Sequence, residues 1–252
     1  DMEVDVSLVY TGCACAVLLT ALGSLVPRAP YGRFATVSNL GVPARLGWIV
    51  QECPSFLVPA ALLWTSTLTI HAHTANVVLL CLFMLHYFYR SFVWTSLIRT
   101  VPGKTVPAYV VVAAFFFCTA NGFAQGLFLT RLHMFEPAYL TDVQFLAGVA
   151  MWCAGWLTNV ASDLLLIRLR KTSTAYRIPR GFLFEYVSCP NYLGEIVEWI
   201  GFAVACQSFA GLAFATQTAF IIGSRAFQTH AWYRSQFKTY PKNRKALIPF
   251  VA

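Results

Sequence analysis

The stretch VQFLAGVAMWCAGWLTNVASDLLLI at residues 143–167 decides the fold class of this chain. It runs for 25 residues with Asp163 as its one charged side chain, and it contains no proline. A helix that crosses a bilayer needs about 20 predominantly apolar residues. The stretch therefore predicts a transmembrane helix.

Apolar runs of similar length occupy most of the remaining chain, at 6–26, 46–64, 75–98 and 106–129. A further run from 182 to 229 is too long for one helix, and Gln207, Ser208 and Gly211 supply a break near its middle. The sequence thus predicts an all-α, polytopic integral membrane protein with about seven transmembrane helices, which form a single domain over residues 1–252.

Composition supports lipid as the solvent. Hydrophobic residues make up 58% of the chain and charged residues 11%, whereas an ordinary soluble domain carries about 25% charged residues. The net charge of +8 does not indicate nucleic acid, because the basic residues are dispersed between apolar blocks and form no stripe. The eight cysteines show no CxxC spacing, so neither a metal site nor a disulfide framework is predicted.

The basic residues also predict the orientation in the membrane. With seven spans, 17 of the 18 Lys and Arg residues fall on one side, and Arg131 stands alone on the other. Positive residues gather in cytoplasmic loops. The N-terminus is therefore expected outside and the C-terminus in the cytoplasm. Acidic residues precede the first run, unlike the basic start of a signal peptide, so this run is expected to be a helix of the mature protein.

Four acidic residues lie within or at the edge of these spans: Glu52, Asp163, Glu195 and Glu198. A charge at the centre of a membrane helix costs about 2.5–3.5 kcal/mol on insertion scales. Helical spacing places several polar residues on common faces: Tyr87, Arg90 and Trp94; Asn159, Asp163 and Arg170; Asn191, Glu195 and Glu198. Together these faces predict a polar cavity that opens to the cytoplasm.

A purely structural role for these polar residues is the alternative to a polar cavity. Intramembrane Asn and Gln often only join helices by hydrogen bonds, and acids at helix ends can form plain salt bridges. Glu52 is harder to explain in that way, since it sits beside Gln51 and before Pro54 and Pro59, which free backbone carbonyls. The basic segment 168–180 suits anionic lipid headgroups or a phosphate-bearing ligand, and composition does not separate the two.

Seven long strings of this sequence are specific enough to indicate a family. They are WIVQECPSF (48–56), LHYFYRSFVW (85–94), FCTANGFAQG (117–126), NVASDLLLIRLRK (159–171), YRIPRGFLFEYVSCPNYLGEIVEWIG (176–201), SRAFQTHAWY (224–233) and YPKNRKALIPF (240–250). With these strings the chain resembles the steroid 5α-reductases, above all the type 2 branch of that family. The similarity is collinear from about residue 31 onwards and differs from the type 2 pattern at Tyr89, Trp94 and Gln228.

The resemblance implies a seven-helix enzyme that uses NADPH to reduce the 4,5 double bond of 3-oxo-Δ4-steroids. It implies that Gln51, Glu52 and Tyr87 engage the 3-keto oxygen, beside Trp48 in the steroid site, with Glu52 donating a hydrogen bond if it is protonated. The early helices would bind steroid and residues 159–252 mainly the cofactor. The implied cofactor residues are Tyr31, Arg33, Asn159, Asp163, Arg170, Tyr176, Arg177, Asn191, Glu195, Arg225, His230 and Tyr233.

Other functions are weighed against this one. A membrane methyltransferase of the isoprenylcysteine carboxyl type has a similar helical core but does not need Gln51, Glu52 and Tyr87. A sterol reductase that acts on another ring double bond is a second alternative. A transporter is disfavoured, because the chain shows no internal repeat. The expected partners are the steroid and membrane lipid, with no nucleic acid, no metal and no obligate protein partner. The membrane would be the endoplasmic reticulum in a eukaryote and the inner membrane in a bacterium.

The predicted topology is testable by labelling. Single cysteines introduced at positions 72 and 243 should react with a membrane-impermeant maleimide from opposite sides of sealed vesicles, since an odd number of spans separates them. The background protein should carry serine at its accessible native cysteines. Labelling of both positions from the same side would contradict seven spans.

Overall fold

A computed structural model describes residues 6–24, 40–67, 72–100, 105–172 and 175–251 of the chain. Its residues fall into two compact units, one of residues 29–146 and one of residues 1–28 with 147–252. The described residues of each unit are mostly helical. The helical class predicted from the sequence is therefore confirmed, while the one-domain organisation stays a prediction.

The helices follow the predicted apolar runs closely. In chain order they are α1 (Val6–Ser24), α2 (Ala44–Glu52), α3 (Pro54–Trp64), α4 (Thr74–Phe88), α5 (Thr95–Leu97), α6 (Ala108–Leu127), α7 (Val143–Thr172), α8 (Pro190–Cys206) and α9 (Phe209–Gln236). Two π-helical segments, Tyr89–Trp94 and Phe128–Leu132, continue α4 and α6, and short 3-10 turns occur at Pro137–Thr141 and Phe182–Glu185.

One small sheet in the described part of the chain departs from the all-α prediction. Strand β1 (Gly41–Pro43) pairs antiparallel with β2 (Thr105–Pro107), with Gly41 opposite Pro107. Arg45 lies just after β1 and donates to the carbonyl of Ile98, 3.2 Å away. These contacts bring together the start of α2, the end of α5 and the start of α6. Three-residue strands carry too little periodicity to be predicted from sequence.

The opposite ends of the same helices also meet. Arg131 donates to Thr65 Oγ1 over 3.1 Å, which joins the end of the Phe128–Leu132 segment to the end of α3. Asn76, near the start of α4, donates to the carbonyls of Leu129 and His133. Within residues 29–146 the long helices therefore alternate in direction, as successive membrane spans must.

Prolines divide the second apolar run into α2 and α3. Pro54 has no N–H to give the carbonyl of Val50, and the Cys53 thiol contacts that oxygen instead, at 3.7 Å. α3 then packs closely on α6 at Gly122 and Gly126, where a Cβ would come within 3.1 Å of the Pro54 carbonyl and of Pro59 Cα. This GxxxG spacing is a frequent helix-contact motif in membranes.

Glycines likewise hold α7 against α8. A Cβ on Gly148 would lie 2.5 Å from the backbone nitrogen of Ala205, and one on Gly201 would lie 2.5 Å from that of Trp152. α8 ends at Cys206, and the next residue, Gln207, has a left-handed φ of 50°. The Ser208 hydroxyl caps α9 by accepting from the Gly211 N–H at 2.9 Å. The break predicted in the 182–229 run therefore lies at Gln207 and Ser208.

Many large apolar side chains face outward, as lipid contact requires. Trp64 is 90% exposed, Leu19 70% and Phe116 65%. Five helical segments of the described residues are long and apolar enough to cross a membrane: Val6–Gly23, Ala44–Trp64, Thr74–Leu97, Ala108–Leu132 and Val143–Lys171. An integral membrane protein is therefore supported, while seven spans and the orientation of the termini stay predictions.

Asn76 offers a test of how the first half is held together. Its amide is fully buried, with Nδ2 at 2.9 Å from the carbonyl of Leu129 and Oδ1 accepting from the N–H of Phe135 at 2.9 Å. Asn76→Ala should lower the thermal stability in detergent, because each buried group left without its partner costs about 1–3 kcal/mol. Asn243→Ala, at an exposed position, is the matched control. Equal melting temperatures for the two variants would contradict this role.

Candidate functional site

A polar cluster lies where α2 meets the π-helical segment after α4. Arg90 Nε is 3.5 Å from Glu52 Oε2, and both side chains are largely buried. The Arg90 guanidinium carbon lies 4.1 Å from the centre of the Trp94 ring and 5.2 Å from that of Trp48. The two indoles meet edge to face. Arg90 is thus held by one carboxylate and two aromatic faces.

The π-helix sets the direction of these side chains. Its wider turn rotates Arg90 and Trp94 away from the faces that an uninterrupted α-helix would give them, and π-helical turns occur often at functional sites. Thr95 Oγ1 donates to the carbonyl of Ser91 at 2.5 Å, which satisfies a backbone acceptor within the widened turn. An α-helical spacing rule therefore could not place Arg90.

The Glu52–Arg90 pair adds a second candidate donor to this group. Arg90 has five N–H groups and can donate to a substrate oxygen. The sequence-based expectation that a protonated Glu52 donates to a substrate oxygen stays a prediction.

Tyr87 is 95% buried near the end of α4 and belongs to a second chain of polar contacts. The Asn121 amide lies 3.5 Å from the Tyr87 hydroxyl, and Gln125 donates to Asn121 Oδ1 at 3.2 Å. Gln51 is also buried, and its Oε1 has no hydrogen-bond partner among the residues that the structure describes. Such an acceptor is available to a ligand or to an ordered water molecule.

The second half of the chain carries two crossed pairs between α7 and α8. Asn159 Nδ2 donates to Glu195 Oε2, and Asn191 Nδ2 donates to Asp163 Oδ1, each over 3.2 Å. Each helix thus contributes one amide and one carboxylate. Asn159 and Asp163 are buried, while Asn191 and Glu195 are half-buried.

Close backbone packing produces this register. A Cβ on Gly194 would lie 2.6 Å from the backbone nitrogen of Asn159, and one on Gly155 would lie 2.5 Å from the carbonyl of Gly194. The short Asn and Asp side chains reach across only because the two backbones approach so closely. Gly155 and Gly194 therefore position the four polar residues.

The remaining sequence-predicted residues form two further groups. Arg170 lies with its guanidinium 3.5 Å from the centre of the Tyr176 ring, which meets Trp232 edge to face at 4.8 Å. His230 bonds through Nδ1 to the Ser188 hydroxyl. Tyr233 is buried and stacks on Tyr240, so its ring is a core contact. Arg177 is exposed and Arg225 half-buried, while Tyr31 and Arg33 lie outside the described residues.

Sequence reasoning missed some residues of these groups. Arg90 was expected on a polar face but not in the group around Glu52. The sequence signal for this placement was the presence of Trp48 and Trp94, whose rings can flank a guanidinium. No role was expected for Ser188 or Tyr240, although both lie in strings that carry the family resemblance, because a lone Ser and a lone Tyr show no spacing that predicts a site.

The amino-acid sequence of this chain is similar to those of known proteins. The family model described as 3-oxo-5-alpha-steroid 4-dehydrogenase matches residues 104–252. The chain is 44% identical to 3-oxo-5-alpha-steroid 4-dehydrogenase 1 of Bos taurus, over 97% of this chain and 96% of that protein. It is 42% identical to 3-oxo-5-alpha-steroid 4-dehydrogenase 2 of Homo sapiens, over 100% of this chain and 99% of that protein.

A pair of glycine variants tests the register of α7 and α8. Gly155→Ala should separate the helices and destabilise the protein in detergent, since forcing extra atoms into a packed contact costs about 1–3 kcal/mol. Gly223→Ala is the matched control, because a Cβ there meets nothing within 4 Å and alanine favours a helix over glycine by up to about 1 kcal/mol. A Gly155→Ala protein as stable as the control would contradict the close packing.

Proposed function

Because this chain belongs to the 3-oxo-5-alpha-steroid 4-dehydrogenase family, it is an enzyme of steroid 5α-reduction, and we propose that it reduces the 4,5 double bond of 3-oxo-Δ4-steroids with NADPH. Three features of the early helices support the proposal: the Glu52–Arg90 pair, the contact between Asn121 and the buried Tyr87, and the buried amide of Gln51. A methyltransferase has no need of such a group, and the family match disfavours both that alternative and reduction of another ring double bond.

The residues of the second half fit a nicotinamide dinucleotide by their chemistry. Amides and carboxylates at Asn159, Asp163, Asn191 and Glu195 suit ribose hydroxyls and a carboxamide, which need both donors and acceptors. Positive side chains at Arg170, Arg177 and Arg225 suit phosphates. NADPH would be held by these residues, with Tyr31 and Arg33 proposed for its adenosine end.

When bound, NADPH supplies the hydride that adds to C5 of the steroid. The electron pair of the 4,5 double bond then shifts toward the 3-keto group, and negative charge develops on the carbonyl oxygen. Donors that face this oxygen in a water-poor site stabilise the charge, and one such donor is typically worth about 3–4 kcal/mol.

In this proposal the Tyr87 hydroxyl donates a hydrogen bond to the 3-keto oxygen of the steroid. Asn121 lies beside its hydroxyl and fixes the direction of the phenol, and Phe83 packs against its ring at 5.0 Å. Arg90, oriented by Glu52, is proposed as a second donor, so Glu52 would act through Arg90. Gln51 would offer its amide within the same site, and Trp48 an apolar wall. A proton must also reach C4 to complete the reduction, from Tyr87 or from water.

The membrane suits this substrate. A 3-oxo-Δ4-steroid is largely apolar and partitions into lipid, and the outward apolar surface of the helices keeps the enzyme there. We place the protein in the endoplasmic reticulum of a eukaryotic cell, or in the inner membrane of a bacterium, with seven spans and a cytoplasmic C-terminus.

Tyr87→Phe tests the function and the role of the hydroxyl together. The purified wild-type protein should oxidise NADPH when testosterone or progesterone is added, and NADPH deuterated at C4 of the nicotinamide should leave deuterium at C5 of the steroid. Tyr87→Phe should reduce single-turnover steroid reduction by about 10²-fold or more, the effect of losing one oxyanion donor, with NADPH binding unchanged.

Tyr109→Phe is the matched control, because Tyr109 is 67% exposed on α6. It should react at the wild-type rate. A folded Tyr87→Phe protein that also reduces steroid at the wild-type rate would refute the assignment of Tyr87. Wild-type protein without any steroid-dependent NADPH oxidation would refute the function itself.

A further inference from the structure

A buried serine outside the two polar clusters joins three parts of the 147–252 unit. Ser188 Oγ lies 2.7 Å from His230 Nδ1, 2.6 Å from the Tyr240 hydroxyl and 3.1 Å from the carbonyl oxygen of Lys245. Ser188 precedes α8, His230 lies near the end of α9, and Tyr240 and Lys245 follow α9. Ser188 and Tyr240 are both buried.

Counting protons assigns a direction to each of these bonds. A serine hydroxyl has one proton, and a carbonyl oxygen can only accept. For all three contacts to be hydrogen bonds, the Ser188 proton must point at Lys245, and Tyr240 must donate to Ser188 Oγ. His230 must then carry its proton on Nδ1 and donate it to Ser188 Oγ.

This assignment leaves His230 Nε2 as an acceptor. In a neutral imidazole one nitrogen donates and the other accepts. His230 lies just beyond the apolar run that ends at residue 229, and partial burial, together with the charges of Arg234, Arg244 and Lys245, holds the pKa of His230 below its usual value. The imidazole is therefore neutral at physiological pH, and Nε2 carries a lone pair.

The ring of Tyr240 packs against two neighbouring side chains. It stacks on Tyr233 with ring centres 5.4 Å apart and an interplanar angle of 11°, and the Arg244 guanidinium carbon lies 5.1 Å from its centre. The Arg244 side chain is fully buried and donates to the carbonyl of Pro179 over 3.1 Å. These contacts hold the Tyr240 ring, and with it the phenol oxygen, beside Ser188.

Backbone hydrogen bonds also hold the segment after α9 in place. Lys245 N–H donates to the Tyr186 carbonyl at 2.9 Å, and Ser188 N–H donates to the Lys245 carbonyl at 2.8 Å. Glu185 Oε2 lies 3.9 Å from Arg244, and a hydrogen bond from the Gly181 N–H lowers the pKa of Glu185. Glu185 is thus ionised at neutral pH and faces the Arg244 charge.

We propose that Ser188 and Tyr240 are positioning residues that hold His230 as the Nδ1–H tautomer, so that Nε2 accepts a hydrogen bond from a neutral N–H or O–H group of the cofactor. The proposal rests on the NADPH-dependent function proposed above, and on the expectation from the family resemblance that His230 contacts that cofactor. It excludes a phosphate as the partner of His230, since a lone pair repels phosphate oxygens. The carboxamide, a ribose hydroxyl and the adenine amine are the cofactor groups of the required chemistry.

The tautomer is tested first, without any cofactor. Nitrogen-15 NMR of histidine-labelled protein in detergent, with the His230 signals identified by their loss in His230→Gln, should show protonated Nδ1 and unprotonated Nε2. Ser188→Ala should convert this signal to a mixture of tautomers, and Ser188→Thr should restore it. Protonation at Nε2 in the wild-type protein would overturn the proposal, whether or not the protein turns over steroid.

Direct NADPH binding then tests the consequence. Ser188→Ala and Tyr240→Phe should each raise the Kd for NADPH by about tenfold, the effect of one lost hydrogen bond, and raise KM for NADPH with kcat changed less than about twofold. In a His230→Gln background, Ser188→Ala should have no further effect, because the group it positions is gone. Ser235→Ala, on the exposed side of α9, is the matched control.

The outcomes separate the alternatives. A purely structural role for Ser188 would give the same loss in both backgrounds and would overturn the proposal. Retention of NADPH affinity in His230→Lys would indicate a phosphate contact and would also overturn it. Failure of the proposed function is a different result: wild-type protein would bind no NADPH at any pH, while the NMR signal would still report the tautomer of His230.

Discussion

Close approach of helix backbones at glycine is the constraint on which both halves of this protein depend. In one half Gly122 and Gly126 let α6 touch the proline-interrupted α3, and in the other Gly155 and Gly194 let α7 touch α8. Lipid offers no hydrophobic drive for two helices to associate, so packing and interhelical hydrogen bonds must hold them. Asn159, one turn after Gly155, can then bond to Glu195 on the facing helix with a short side chain.

Satisfying polar groups in lipid explains much of the remaining arrangement. Glu52 has Arg90, each of Asp163 and Glu195 has an asparagine from the facing helix, and Cys53 contacts the carbonyl that Pro54 leaves. Such pairs lower the free-energy cost of placing charge in the membrane. Gln51 Oε1 and Gln125 Oε1 are two buried acceptors of the first half that have no partner among the described residues.

Hydrophobic length made the helices predictable, and helical spacing made the Asn159, Asp163 face and the Asn191, Glu195 face predictable. Helical spacing could not predict which residue of α8 each polar residue of α7 contacts, because that depends on which glycines of the two helices meet. The faces that include Arg90 and Trp94 were blurred by the π-helical turn, since its extra residue breaks the 3.6-residue period. The contacts of Tyr240 could not be predicted for a different reason. They join residues far apart in the sequence, and the segment around Tyr240 shows no hydrophobic periodicity.

The packing of α1 carries a consequence for how the protein is made. α1 lies against α9, with the rings of Tyr10 and Phe209 5.4 Å apart, so the helix that leaves the ribosome first is paired with the one that leaves last among the described helices. At synthesis rates of about 5–20 residues per second, α1 waits roughly 10–40 s for its partner. During that interval its apolar surface is covered by lipid or by the insertion machinery, and the unit that contains both ends of this pair cannot close before translation has passed α9.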